Sequence, residues 1–479
     1  MRFTVFHLFI LLAHCSSLLA APPNVLFIIV DDLTTTLGCY GNPSVRTPGM
    51  DALAARGVGF DRAYTQFALC NPSRCSFLTG CYPEKTGVMD LSTSLRKALP
   101  DEVTLPQHFK NNGYATGRVG KVFHVPDPKT KLNVELGSAL HKDNEILVEA
   151  KKASDPDDKP RSKAKADGYN RTYAASARPA ADFTDYAIAD DAIATLDQFK
   201  AKPFFLAVGF IRPHTPFVAP KSFFEAIDAT QLTLPPFYRE GGEDLTQLPK
   251  ASLRPNNNVF RYAAPTRDEA RDALQAYWAS TSFVDSQIAR VLEKLRELNL
   301  DGNTIIVLTG DHGYQLGEHG LWAKQTLFEG ANHVPLIIAA PGVKPGTRSG
   351  LAEQVDIYPT LCDLAGLPKP KHLQGRSLKP MLDDPAAKGK QVAISTMIAP
   401  HTKQRGHSLR TDAFRYIAWE GSEELLYDLR TDADELHNLA KQPVQAERME
   451  RMRRRLAAHL KSVVGGDRLR VSGSPQSPK

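Results

Sequence analysis

The chain is short of cysteine, shows no internal repeat and, beyond its N-terminus, has no long apolar run. Each shortage removes a class of protein. Six cysteines occur among 479 residues, and no C-x-x-C pair is among them, which removes a zinc knuckle. Cys15 falls in the N-terminal segment. Five cysteines remain after it, an odd number, so at least one thiol is unpaired or reactive. The missing repeat excludes solenoid architectures. No later segment approaches the about 20 apolar residues of a membrane-spanning helix. The formal net charge is +6, but Lys and Arg alternate with Asp and Glu almost everywhere. No basic patch is interleaved with aromatics, so nucleic acid is not an expected partner. At most the mild basicity favours polyanions.

What is present is ordinary globular composition, 42% hydrophobic and 23% charged, in a chain long enough for a large domain and a smaller one. The N-terminus, "MRFTVFHLFILLAHCSSLLAAPPNV", has a positive start, a short apolar run and small residues near Ala20 and Ala21. That layout predicts a signal peptide over residues 1–20 and export to a periplasmic, extracellular or lysosome-like compartment. A lipid anchor at Cys15 would want a small residue before it, and His14 is there.

Buried strands are expected at "NVLFIIV" (Asn24–Val30), "PFFLAVGF" (Pro203–Phe210), "NTIIVLTG" (Asn303–Gly310) and "VPLIIAAPG" (Val334–Gly342), since each is a continuous apolar, β-rich run. Helical patterns over Thr104–Asn112, Asp185–Lys200 and Thr266–Leu298 alternate with them. The fold class is therefore α/β, a large mixed and mostly parallel sheet with helices on both faces. Lys129–Ser176 reads as a charged surface insertion and Pro235–Pro265 as irregular, and both are expected to border a substrate cleft. After about Pro380, "QVAISTMIA", "FRYIAWEG" and "EELLYDLR" read as antiparallel strands, with a basic amphipathic helix near Gln442–Val464. The expected division is a main domain over 22–385, a C-terminal α+β subdomain over 386–464, and a disordered tail over 465–479.

Polar sites in such sheets gather at the carboxyl ends of strands. Asp31-Asp32 and Asp311-His312 sit at two such ends. Adjacent carboxylates are costly unless a cation neutralises them. A turn or helix cap accounts for them equally well. The alternative is a hard-cation site, with His312 an unusual ligand that by itself points to Zn²⁺ or Mn²⁺. Lys121 and His124 close "GYATGRVGKVFH", His214 lies in "RPHTPF" and Lys324 in "DHGYQLGEHGLWAKQ". Singly these are weak signals, and structural roles are expected for His319 and His333. Together they describe a receptor for a tetrahedral oxyanion: a cation, an arginine and two lysines hold oxygens, and two histidines move protons. The nucleophile is the missing part.

The missing part lies in "LCNPSRCSFLTG" (Leu69–Gly80). Cys70-Asn71-Pro72-Ser73-Arg74, closed by Thr79-Gly80, resembles the C-x-P-S-R signature of the sulfatases, a family of the alkaline-phosphatase-like superfamily. Gly113, Tyr114, Thr116, Gly120, Lys121 and His124 match a second signature of that family. The likeness runs from "NVLFIIVDDL" to "LYDLRTDADELHNLA". Within the family it is nearest the iduronate-2-sulfatase type, which carries His where many sulfatases carry Asn at position 312. The resemblance implies an alkaline-phosphatase-like fold and a secreted sulfuric ester hydrolase acting on a sulfated carbohydrate. It implies that a formylglycine-generating enzyme converts Cys70 to formylglycine during export, with Pro72 and Arg74 as recognition marks. It implies one Ca²⁺ ligated by Asp31, Asp32, Asp311, His312 and modified Cys70. Arg74 would fix the formylglycine hydrate, Lys121 and Lys324 would contact sulfate oxygens, His124 would trigger sulfate release, and His214, with Lys324, would protonate the departing alcohol. A phosphatase or phosphonate hydrolase of the same superfamily, and a non-catalytic glycan-binding relative, are the competing readings. Asn71 departs from the small residue usual there. A helix expected to begin around Ser73 would hold Cys70 at the cleft floor. A Cys75–Cys81 disulfide and free buried thiols stand as alternatives. The insertions over Lys129–Ser176 and Pro235–Pro265 match the iduronate type poorly, which leaves the sugar open.

Overall fold

The computed structural model describes residues 21–127, 129–137, 142–154, 170–239, 243–254, 258–261 and 263–464. The expected signal peptide and C-terminal tail lie outside the described residues. Strand Asn24–Val30 is the middle of an eight-stranded sheet ordered Gly346–Arg348, Val58–Phe60, Leu336–Ala339, Thr304–Gly310, Asn24–Val30, Phe204–Phe210, Ala115–Gly120, Val134–Leu136. The central strand runs parallel to both of its neighbours. Strand Leu336–Ala339 is antiparallel to Thr304–Gly310 and Val58–Phe60, which makes the sheet mixed. Every residue of Asn24–Val30 is buried. Val25, Phe27 and Ile29 enter one core with Phe77, Phe109 and Leu361. Leu26, Ile28 and Val30 enter the other with Leu53, Leu196 and Ile288. Helices on both faces explain why the sequence reads as an unbroken apolar run and not as alternation.

The expected helices form as Leu105–Asn111, Thr184–Phe199 and Arg267–Glu297. The longest begins with a capping box, Thr266 bonding the Glu269 amide and the Glu269 carboxylate bonding back, which satisfies two orphan donors of the first turn. Three readings of the sequence need correction. The insertion carries a helix, Lys142–Ser154, whose Ile146, Leu147 and Ala150 are buried against a core shared with Tyr173, Val218 and Leu274. Its charge-rich composition describes its outer face only. The helix expected to start around Ser73 begins at Cys70, because Leu69 is extended and ends the preceding segment. Val334–Gly342 is divided, with His333–Val334 in a separate three-stranded sheet and Leu336–Ala339 in the large one.

The C-terminal sheet is an antiparallel meander of Ala393–Ile398, Arg405–Arg410, Phe414–Trp419 and Leu425–Asp428. Its second strand, "RGHSLR", has one large apolar residue and gave no sequence signal, yet Gly406–Arg410 are buried between neighbouring strands. One face of this sheet packs Met397, Ile417, Trp419 and Tyr427 against Phe67, Leu69 and Phe328. The other receives Met449, Met452, Leu456 and Leu460 of helix Ala446–Val464. The C-terminal unit therefore buttresses the turn that presents Cys70.

Candidate active site

The sheet register builds the site. Val30 pairs with Gly310 on one side and Phe210 on the other. The ladder runs one residue further: the Asp311 amide donates to the Val30 carbonyl at 3.0 Å and the Asp31 amide to the Phe210 carbonyl at 3.2 Å. Two carboxylates 280 residues apart in the chain thus leave the sheet side by side. Asp32 then turns into the left-handed region at φ 62°. Its amide donates to Asp311 Oδ1 at 3.0 Å, and its carbonyl accepts from the Tyr277 hydroxyl at 2.7 Å. Gly209 is obligatory in the neighbouring strand, since a Cβ there would strike the Lys121 carbonyl.

Helix Cys70–Thr79 points its N-terminus at this edge, where backbone amides and the helix dipole favour negative charge. Ser73 Oγ donates to the Asp311 carbonyl. Arg74 is fully buried. Its Nη2 lies 3.2 Å from Asp31 Oδ1 and its Nε 3.0 Å from Asp311 Oδ2. Its Nη1 donates to the Lys121 and Val122 carbonyls. One guanidinium clamps two strand ends and the lysine loop. Lys121 pairs with Asp31, and Lys324 Nζ lies 2.8 Å from Asp32 Oδ1. Burial opposes both ammonium charges, but the carboxylates outweigh it and hold both lysines above their ordinary range. The same cations outweigh burial at Asp31, whose carboxyl is held well below the usual carboxylate value.

Cys70 Sγ is the focus, 3.1 Å from Lys324 Nζ and 3.4 Å from His312 Nε2. Sγ and single ligand atoms of Asp31, Asp311 and His312 all lie within 4.8 Å of one another, and Asp32, Cys70 and His214 form a second such group. The donor chemistry fits a hard divalent cation. Three carboxylates converge, and the buried Asp32 Oδ2 has no hydrogen-bond partner. His312 Nδ1 is engaged 2.9 Å from the Gly313 carbonyl, which leaves Nε2 for the site. Three carboxylates face Arg74, Lys121 and Lys324, so a bound dication would make the cluster a receptor for anions.

His124 and His214 are half-buried at the rim of this cluster. Burial, with Lys121 beside it, lowers His124 to about 4, and its buried Nδ1 has no partner. Burial and then Lys324 lower His214 to about 3. His214 Nδ1 sits 2.7 Å from the Thr215 carbonyl. Asp185, at the start of helix Thr184–Phe199, accepts from the Ile211 amide at 2.6 Å and the Arg212 amide at 2.9 Å, and so pins the loop that carries His214. Asp185 and Tyr277 sit inside helices, and the sequence held no signal for either role.

His319 bonds Glu243, and His333 Nε2 lies 2.6 Å from the Asp61 carbonyl. Both stay outside the cluster, as expected. Asn71 Nδ2 donates to the Asp90 and Thr93 carbonyls at 2.8 and 2.9 Å, which accounts for an amide where a small residue is usual. Cys75 and Cys81 are free, which removes the disulfide alternative. Burial pushes their thiols up to about 12 and about 11, so both remain protonated and unreactive.

Residues 23–367 match the family model described as sulfatase, and residues 317–462 match that described as N-sulphoglucosamine sulphohydrolase, C-terminal. The chain is 33% identical to iduronate 2-sulfatase of Homo sapiens over 89% of this chain and 90% of that protein. A solved structure described as a complex with its substrate D-glucosamine-2-N,6-O-disulfate superposes with TM-score 0.74 at 25% identity, covering 93% of this chain and 99% of the other. A phosphonate monoester hydrolase from Silicibacter pomeroyi superposes with TM-score 0.73 at 26% identity, covering 91% and 95%.

Proposed function

Because the chain belongs to the sulfatase family and is a sulfuric ester hydrolase of the iduronate-2-sulfatase-like kind, we propose that it is an exported, Ca²⁺-dependent enzyme that hydrolyses a sulfate ester of a carbohydrate through a formylglycine made from Cys70. The observation that carries this reading is the placement of Cys70 Sγ beside Lys324 Nζ and His312 Nε2, in reach of two carboxylates. No other thiol among the described residues has such surroundings. The sugar reading rests on the named substrates of the relatives, iduronate and a disulfated glucosamine.

Asp31, Asp32, Asp311 and His312, with residue 70, would hold the cation, whose chemistry is to polarise oxygen and lower the pKa of a hydroxyl bound to it. A formylglycine hydrate at residue 70 would supply one hydroxyl to displace the alcohol from sulfur and a second whose deprotonation would break the C–O bond to sulfate and restore the aldehyde. The side chains of the chain do the rest. Arg74 keeps Asp31 and Asp311 fixed and compensated. Lys121 and Lys324 draw sulfate oxygens towards residue 70 and stabilise charge that shifts as the ester bond breaks. His124 is neutral above about pH 4, so it is a base, and it takes the proton that releases sulfate. Lys324, held protonated by the carboxylates around it, delivers a proton to the departing alcohol, and His214, lowered to about 3 and therefore neutral, orients that alcohol by hydrogen bonding.

Mass spectrometry of the peptide containing Cys70, from protein exported by its native host, tests the class. An aldehyde residue is expected, and an intact thiol overturns the mechanism. Assays with paired aryl esters complete the test. Sulfate is expected to be released in preference to phosphate, and a phosphate preference of several orders of magnitude favours a phosphohydrolase of the same fold.

A further inference from the structure

Helix Ala446–Val464 carries six cations against two carboxylates, a net of +4 within 19 residues of a chain whose whole formal charge is +6. The proposed mechanism uses none of them. The apolar side of the helix is covered by the C-terminal sheet, where Met449, Met452, Leu456 and Leu460 are buried. Its far end is fixed to the main domain: the Gln374 side-chain amide donates to the Val463 carbonyl at 3.0 Å, and the His459 ring meets Tyr82 edge-on at 4.6 Å. The opposite side is thereby held towards solvent. Arg451, Arg454, Arg455 and Lys461 are exposed there, one or two helical turns apart, on a stripe about 15 Å long.

The carboxylates on and beside the helix are already engaged. Glu447 pairs with Arg451 at 2.5 Å, and Glu424 and Glu450 both pair with Arg453, at 2.5 and 3.5 Å. Arg448 lies over the Phe414 ring at 4.0 Å. Among the described residues, Arg454, Arg455 and Lys461 have no carboxylate partner. The exposed Arg451–Glu447 pair is worth little, so a stronger anion can replace it. Five of the six cations are arginines, whose planar donor forks grip an oxyanion through paired hydrogen bonds where a lysine offers a point charge. No large apolar side chain of the helix is exposed, so this face lacks what an interfacial helix inserts into a bilayer.

We infer that this stripe is a docking surface for a sulfated polysaccharide, the polymeric form of the substrate class. The choice of partner rests on the sulfatase reading; the surface itself rests on charge and burial. The helix covers the face of the C-terminal sheet opposite to the one that packs on Phe67 and Leu69, just before Cys70. The stripe therefore lies away from the sulfate site and does not touch the sugar being cleaved. It acts as a tether: a long polyanion held there by charge presents its other sulfates to the site at a raised local concentration.

Binding of the mature enzyme to dextran sulfate in about 0.15 M salt tests the surface, with unsulfated dextran as the control. Only the sulfated polymer is expected to bind. The triple variant Arg451→Ser, Arg454→Ser, Arg455→Ser is expected to bind it about tenfold more weakly or worse, and the corresponding Arg→Lys triple to keep an intermediate affinity. A second triple, Lys200→Ser, Lys202→Ser, Lys221→Ser, removes as much charge from exposed positions elsewhere, and screening should hold its effect below about twofold. All variants are expected to release sulfate from an aryl sulfate as the wild type does, which shows that they are folded. Because binding is read without turnover, an enzyme that binds dextran sulfate through these arginines but cleaves no aryl sulfate keeps the surface and loses the sulfatase reading. The inference is overturned if the arginine-to-serine triple binds dextran sulfate as tightly as the wild type, if the lysine triple weakens binding equally, or if the same arginines bind phosphatidylserine vesicles in preference to dextran sulfate.

Discussion

At the scale of the residue, the site is a set of charges that only make sense together. Arg74 is the clearest case. It is buried between Asp31 and Asp311, and removing one partner of a buried ion network strands the other. Arg74→Ala is expected to cost about 3–5 kcal/mol of stability, read from urea unfolding at neutral pH. A cost below about 1 kcal/mol would mean that the carboxylates are compensated elsewhere. Lys121→Ala and Lys324→Ala act differently. Each deletes a cation aimed at the reacting group, so kcat/KM for an aryl sulfate should fall about 10²–10³-fold, with the aldehyde content at position 70 checked by mass spectrometry. A fall of less than threefold in either variant would remove that lysine from the sulfate site.

At the scale of the element, the loops of the large sheet are held by partners from distant segments. Glu84 lies in the short helix Pro83–Thr86 and bonds the Thr396 hydroxyl, with His407 Nε2 3.4 Å from its Oε1. It therefore ties the region after the Cys70 helix to the C-terminal sheet. Burial disfavours its charge, but the neighbouring His407 ring and the bond from the Thr396 hydroxyl prevail and lower its pKa from 4.5 to about 2. A carboxyl with a lowered folded-state value adds stability that is complete above its unfolded value and is lost as the pH falls towards the folded one. Glu84→Gln is thus expected to lose about 3 kcal/mol at pH 7. The difference from wild type should shrink as the pH is taken from 5 towards 3. A difference independent of pH over that range would show that Glu84 acts by shape and not by charge.

At the scale of the whole molecule, two parts of the chain meet at the nucleophile. Phe67 and Leu69, just before Cys70, share a core with Met397, Ile417 and Trp419 of the C-terminal sheet. All proposed catalytic and metal-binding residues lie before residue 385, yet a chain ending there would expose this core. Such a truncation is expected to lose sulfate release and to aggregate; full activity of the truncated chain would show the two units to be independent. The proposed cation acts on the whole fold as well. Binding to the folded state alone stabilises it by about 2.7 kcal/mol at a hundred times Kd. Chelation should therefore lower both Tm and activity, and added Ca²⁺ should restore them. An unchanged Tm after verified metal removal would argue against a resident cation.

The sequence by itself determined the elements that bury apolar surface on every side. Asn24–Val30, Phe204–Phe210 and Thr304–Gly310 are legible because a strand covered on both faces must be apolar throughout. It also carried the signatures around Cys70 and Lys121, since that chemistry demands particular residue types at fixed spacing. It did not reveal strand Arg405–Arg410, whose burial comes from its neighbours, nor helix Lys142–Ser154, whose few buried residues are hidden among charges. Only the tertiary structure decided that Asp31 and Asp311 stand side by side, because strand register is a property of paired strands and not of either one. Only it decided that Cys75 and Cys81 are unpaired. Such facts arise from segments brought together across the fold, and no local pattern of side chains encodes them.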